Sequence, residues 1–217
     1  MSQGAFLRAR RPEHKQQRRE AILAAARELA LRDGVRTVSL GSVAAEVGLA
    51  KSNLARYFAT REEIYLELAG QESADWQSAV LRRLAAVTDR ASLVEALTET
   101  LAARPLFCDL LSHSGTTLEH NVSPAAARSF KLGMLRMTGT VGAEIARVYP
   151  KLTAAEAAEV AGAAAGFAGL LYPAANPPEV LRRLYATDPE VAAACLPFEP
   201  TMKRMLAAII EGLPALR

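Results

Sequence analysis

Cysteine is nearly absent from this chain: Cys108 and Cys195 are the only two among 217 residues. They are too few and too far apart in sequence for a disulfide framework or a zinc site, and this usage fits a reducing cytoplasm. Aromatic residues make up only 6%, and no succession of alternating β-branched segments is present, which argues against a sheet. Long apolar runs are missing as well. The longest uncharged one, Val160 to Leu171, is shorter than the roughly 20 residues that cross a bilayer, so it reads as a buried helix and no membrane partner is expected. The first twelve residues hold no apolar stretch of signal-peptide length, so no export signal is expected. No Ser-His-Asp set or glycine-rich phosphate loop accompanies the three histidines. Cys108, His113, Glu119 and His120 cluster in sequence, but Cys-x4-His followed by Glu-His matches no metal-ligand spacing. The expectation is a protein with no catalytic residue, no metal and no cofactor.

What the chain does have is alanine and apolar content, 51% hydrophobic overall, enough to pack a core. Alanine-rich sequence with apolar residues at helical spacing predicts an all-α fold. Charge is unevenly placed. Residues 1–61 carry twelve Lys and Arg against five Asp and Glu, a net of +7, and residues 62–217 carry 14 against 18, a net of −4. A basic excess confined to the N-terminal quarter suits a polyanion, either nucleic acid or an anionic membrane surface.

Ile22, Leu23, Ala26, Leu29 and Ala30 define a first helix over about 13–33, preceded by a flexible basic arm over 1–12 that includes Arg8, Arg10 and Arg11, and closed by Gly34. Ser39 can cap a second helix over 40–47. Gly48 sits where that helix must stop, Leu49 follows as an apolar plug, and 51–58 can form a further short helix with Leu54 and Phe58 on its inner side. Helix, glycine turn, helix is the layout of a helix-turn-helix DNA reader. Thr60 and Glu63 stand at capping-box spacing ahead of a long fourth helix, whose apolar stripe runs from Ile64 through Trp76 to Leu84 with a bend expected near Gly70. Further helices are predicted at about 91–103, 105–113, 124–149, 153–172, 177–186 and 199–212, with prolines at most of their starts or intervening gaps.

The run from Ser39 to Tyr65, SLGSVAAEVGLAKSNLARYFATREEIY, together with the first helix, resembles the DNA-binding region of TetR-family repressors over about 50 residues. The segment Arg104 to Leu111 and Asn121-Val122-Ser123 is similar to one of the family's C-terminal domain types. The resemblance implies a three-helix reader at 13–60 joined by a long helix to a ligand-sensing and dimerisation domain at 61–217. It implies a cytoplasmic, non-enzymatic regulator that binds double-stranded DNA as a homodimer and leaves an inverted-repeat operator when a small molecule binds.

A recognition helix in the major groove presents its N-terminal side chains to base edges, which assigns Lys51, Ser52 and Asn53 as base readers. Asn pairs with adenine and Lys with guanine, while Arg56 can reach a base or a phosphate. Ser39, Ser42, Thr60 and Arg61 are assigned to phosphates, with capping an equal claim on Ser39 and Thr60. Two positions depart from the family pattern. Ala50 stands where Ser is frequent, and Ala55 where a backbone-contacting Tyr is usual, leaving Tyr57 as the substitute. For the second half, Val160–Leu171 with Met202, Met205, Leu206, Ile209 and Ile210 is the expected four-helix dimer seam, an intrachain core being the alternative. The expected effector cavity is lined by Trp76, Phe107, Leu110, His113, Thr117, Phe130, Met134, Met137 and Phe167, an apolar set suited to a hydrophobic or amphipathic small molecule, and most of these residues could equally be core.

Overall fold

The structure, a computed structural model, describes residues 3–217, with side chains from Glu13 onward. Its regular elements are all helical among the described residues: α1 (Gln3–Asp33), α2 (Leu40–Glu46), α3 (Lys51–Leu54), α4 (Arg61–Leu84), α5 (Arg90–Ala102), α6 (Pro105–His113), α7 (Pro124–Val148), α8 (Ala154–Ala175), α9 (Glu179–Thr187), α10 (Pro189–Ala192) and α11 (Phe198–Gly212). The all-α expectation holds, and most boundaries fall within one to three residues of the sequence pattern.

Three local expectations change. The helix expected from residue 13 already includes Gln3, so the backbone of the supposed arm is helical from there; Met1, Ser2 and the side chains of residues 3–12 lie outside the described residues. The fourth helix runs on through Gly70 as one α-helix. The short helix expected over 51–58 is α-helical only at Lys51–Leu54 and then tightens, with Arg56 and Tyr57 donating to the carbonyls of Asn53 and Leu54 three residues back.

Side chains explain where helices start. Ser39 accepts from the Ser42 amide while the Ser42 hydroxyl receives the Ser39 amide, a reciprocal box that satisfies two otherwise orphan donors. Asp89 with Ser92 and Thr153 with Glu156 repeat the device at α5 and α8. Thr60 accepts from the Glu63 amide at 3.2 Å. Glu63 does not close the expected box. Its carboxylate reaches back to the Ala59 amide at 3.0 Å and across to the Ser123 amide at 3.2 Å, linking the start of α4 to the cap of α7.

Two apolar cores form. The larger gathers Trp76, Leu97, Phe107, Met137, Ile145, Val160, Ala164, Met202 and Leu206 with their neighbours from α4 to α11. The smaller is built on α1 to α4, through Ile22, Leu29, Val43, Leu54, Phe58 and Ile64, and takes in Leu106 and Leu110 of α6, Leu118 of a one-turn π-helical segment (Ser114–Leu118) and Phe130 of α7. The reader's core is therefore completed by side chains from the second half. Polar ties cross the same junction. The Val35 amide donates to Asp109 at 2.8 Å, and the Thr60 hydroxyl to the Asn121 carbonyl at 2.7 Å.

α8 is the central helix of the larger bundle. It alone among the described helices has the length and apolarity of a membrane span, yet it packs among α6, α7 and α11 with eight residues buried. At its crossing with α7, a Cβ on Gly142 would stand 2.7 Å from the Ala158 backbone, so only glycine allows this approach. The placement divides the segments of the expected dimer seam between two faces. Val160, Ala161, Ala164, Ala165, Ala168 and Leu171 are buried within one protomer, as are Met202, Leu206 and Ile210 of α11. This face belongs to the intrachain core, because α11 folds back onto α5 and α8 of its own chain, while Gly166 and Leu170 stay exposed and Met205 and Ile209 only partly buried.

Candidate nucleic-acid interface

α2, the Gly48 turn and α3 hold the candidate readers in place. Gly48 adopts φ +65°, a left-handed conformation that side chains rarely tolerate, and this lets the chain reverse so that the Leu49 amide reaches the Ala44 carbonyl at 2.8 Å. Val43, Leu54 and Phe58 are sealed inside, so the opposite side of α3 faces outward. Lys51, Ser52, Asn53 and Arg56 are all exposed there. No side-chain hydrogen bond or ion pair engages any of them among the described residues. Donors left uncommitted on a rigid exposed turn are what base-edge recognition requires.

The residues assigned to phosphates behave differently. Ser39 and Ser42 are occupied with one another in the capping box, though Ser39 stays exposed. Thr60 caps α4 and also holds the Asn121 carbonyl. Arg61 is turned inward: its Nη1 donates to the carbonyls of Arg36 and Val38 at 3.1 and 3.0 Å, and its Nε to Glu62 at 3.2 Å. In this conformation Arg61 clamps the α1–α2 connection through Nε and Nη1. Tyr57 is half-buried against the reader core.

Arg19 of α1 braces the helix-turn-helix segment. Its Nη1 donates to the Tyr57 carbonyl at 2.8 Å, its remaining nitrogens grip both oxygens of Glu67 on α4, and its guanidinium lies 4.0 Å over the Phe58 ring. One side chain thus fixes the end of α3 to α4. Burial raises the Glu63 carboxyl pKa, but hydrogen bonds from Ser123 and the Ala59 amide, with Arg19 nearby, outweigh this and hold it below its ordinary value. Periodicity reports burial and cannot reveal such a brace, because Arg19 and Glu67 are distant in sequence.

At the N-cap of α3, Ala50 has extended geometry, φ −65° and ψ 144°, and supplies no side-chain cap. Ala50→Ser is expected to add about 1 kcal/mol to the local stability of α3. Amide exchange at Lys51 to Leu54 should slow by several fold, and unchanged exchange would show that the cap is not missed.

The nine expected cavity liners divide between the two cores and the surface. Trp76, Phe107 and Leu110 are fully buried, and Phe167 packs half-buried against the larger core. His113 pairs with Asp109 at 3.5 Å, and Thr117 is exposed. Only Phe130, Met134 and Met137 line a cleft, about 770 Å³ in volume, between α4 and α7. The sequence cluster around Cys108 is dispersed too. Cys108 is buried and donates to the Leu101 carbonyl, and Glu119 pairs with Lys131.

A short exposed helix held over a glycine turn and followed by a long capped connecting helix defines a helix-turn-helix transcriptional regulator. The family model described as "Bacterial regulatory proteins, tetR family" matches residues 22–68, and that described as "Tetracyclin repressor-like, C-terminal domain" matches residues 70–217. The chain belongs to the TetR family of transcriptional regulators. Solved structures share the fold. A TetR-family regulator from Pectobacterium atrosepticum is 13% identical, with TM-score 0.61 over 93% of this chain and 94% of its own. The Thermus thermophilus repressor FadR, solved with lauroyl-CoA, is 18% identical, with TM-score 0.56 over 90% and 94%. A TetR/AcrR-family regulator from Thermobifida fusca is 19% identical, with TM-score 0.51 over 91% and 98%. No curated protein matches the chain.

Proposed function

We propose that this chain is a cytoplasmic, non-enzymatic repressor that binds an inverted-repeat operator as a homodimer and is released by a hydrophobic or amphipathic small molecule. The exposed, uncommitted row of Lys51, Ser52, Asn53 and Arg56 on a braced α3 carries the reading. Lys51, Ser52 and Asn53 are the base readers, Arg56 reads a base or a phosphate, and Ser39, Ser42 and Thr60 add backbone contacts beside their capping roles.

The homodimer is supported by apolar surface left over after the protomer folds. Leu170 of α8 is 63% exposed, and Val180 of α9 72%. α9 buries none of its residues, although its apolar and charged side chains lie on opposite faces. A second copy covering this region would set two α3 helices at fixed spacing, which matches a palindromic site. Release requires an effector that prefers the conformation unable to hold DNA, since equal affinity for both states shifts nothing.

Selection from a random duplex library tests the reading. The protein should enrich an inverted repeat and bind it with two protomers. Retention of DNA without any enriched motif, by folded protein, would refute it.

A further inference from the structure

The cleft between α4 and α7 has a glycine on each wall. Gly70 on α4 and Gly133 on α7 both line it, and no atom lies within 4 Å of where a Cβ would stand on either. Both sit inside helices, where glycine costs about 1 kcal/mol relative to alanine, and neither has the positive φ that would demand it. What the missing side chains leave is space. Its volume, about 770 Å³, falls within the range of small-molecule sites.

The charges lining the cleft are unequally committed. At the reader end, Glu63 has both oxygens on the Ala59 and Ser123 amides, and Glu67 has both on Arg19. At the far end stands Arg136, which is exposed and joins no ion pair or hydrogen bond among the described residues. Phe130, Met134 and Met137 of α7 and Leu66 of α4 supply the apolar wall between. The cleft thus offers one unpaired cation, carboxylates whose oxygens are already hydrogen-bonded, and an apolar strip beside polar Gln71, Gln77 and Ser129, with methionines that adapt to an irregular chain.

We infer that the α4–α7 cleft is a binding site for a single-chain amphipath with an anionic head, the head on Arg136 and the chain running past Gly133 toward Phe130. A cationic amphipath finds less here, because Glu67 is paired with Arg19 and both oxygens of Glu63 already accept amide hydrogen bonds. The site's outer wall at the reader end includes Arg19 and Tyr57, so an occupant lies against the groups that fix the end of α3. That link rests on the effector reading above, whereas binding itself does not.

Isothermal titration with sodium decanoate, decanol and decyltrimethylammonium, without DNA, tests the site. Decanoate should bind best. Arg136→Gln should weaken decanoate about tenfold while leaving decanol unchanged, as expected for loss of one charged hydrogen-bonding partner. Gly133→Leu, which improves helix propensity and fills the cleft, should abolish binding at an unchanged melting temperature; Gly70→Leu provides the same test from the opposite wall. No decanoate binding by the unaltered protein, equal binding of the cationic probe, or binding undiminished in both leucine variants would overturn the inference. With the enriched duplex present, decanoate should lower DNA affinity in the unaltered protein and not in Gly133→Leu. Binding without that effect would contradict the effector reading and leave the site standing.

Discussion

A chain carrying Lys51→Ala and Asn53→Ala together is expected to fold normally and to lose most of its preference for the enriched duplex over random DNA. Both side chains are exposed and neither engages another described residue, so their removal leaves the reader's core intact. Each well-placed side-chain pair with a base edge is worth about 1–3 kcal/mol of discrimination. Two such residues in each of two readers make four contacts, so even the lower value predicts on the order of a thousandfold loss in specific affinity, given approximate additivity. Residual binding should be salt-dependent and indifferent to sequence, since the phosphate term survives. Fluorescence anisotropy with specific and random duplexes separates the two. A variant that keeps its preference would show that α3 does not read the bases.

The second large effect is on stability. Trp76 is fully buried, its ring centroid 6.0 Å from that of Phe107, and its Nε1 donates to Thr100 Oγ1 at 3.0 Å. Thr100 in turn donates to the Ala96 carbonyl at 2.7 Å, so its hydroxyl is fixed as the acceptor for the indole. Trp76→Ala should therefore cost about 3–5 kcal/mol through the cavity it leaves. At this chain length that lowers the melting temperature by roughly 10 °C or more. DNA recognition should persist below the transition, because α3 belongs to the other core. A change of a degree or two by calorimetry would mean that the larger core collapses to fill the gap.

Much of the fold was legible because burial imposes a period on sequence. The stripe from Ile22 to Ala30, the cap at Ser39 and the stop at Gly48 each appear where the pattern puts them. Legibility failed where one helical pattern serves two outcomes. Val160 to Leu171 is small and apolar, equally suited to a partner chain or to its own, and only the fold-back of α11 shows which of its residues are taken into the intrachain core. Trp76 and Phe107, expected as cavity liners, are fully buried, and the sequence could not separate the two outcomes, since a large apolar side chain fills a core as readily as it lines a pocket. Gly70 was read as a bend, but what its missing side chain provides is room, visible only when α7 brings Gly133 to the same cleft. Arg61 was assigned to phosphate on charge alone; its position beneath the Arg36 and Val38 carbonyls depends on tertiary geometry. The candidate base readers needed the least, because a helix after a glycine turn has one free face and the sequence names what stands on it.

The central claim is that α3 reads bases in two symmetric copies. Repeating the random-duplex selection with Asn53→Ala tests it most directly. The account predicts the same inverted repeat with base preference relaxed at matching positions in both half-sites and retained elsewhere. An enriched motif identical at every position to that of the unaltered protein would contradict it.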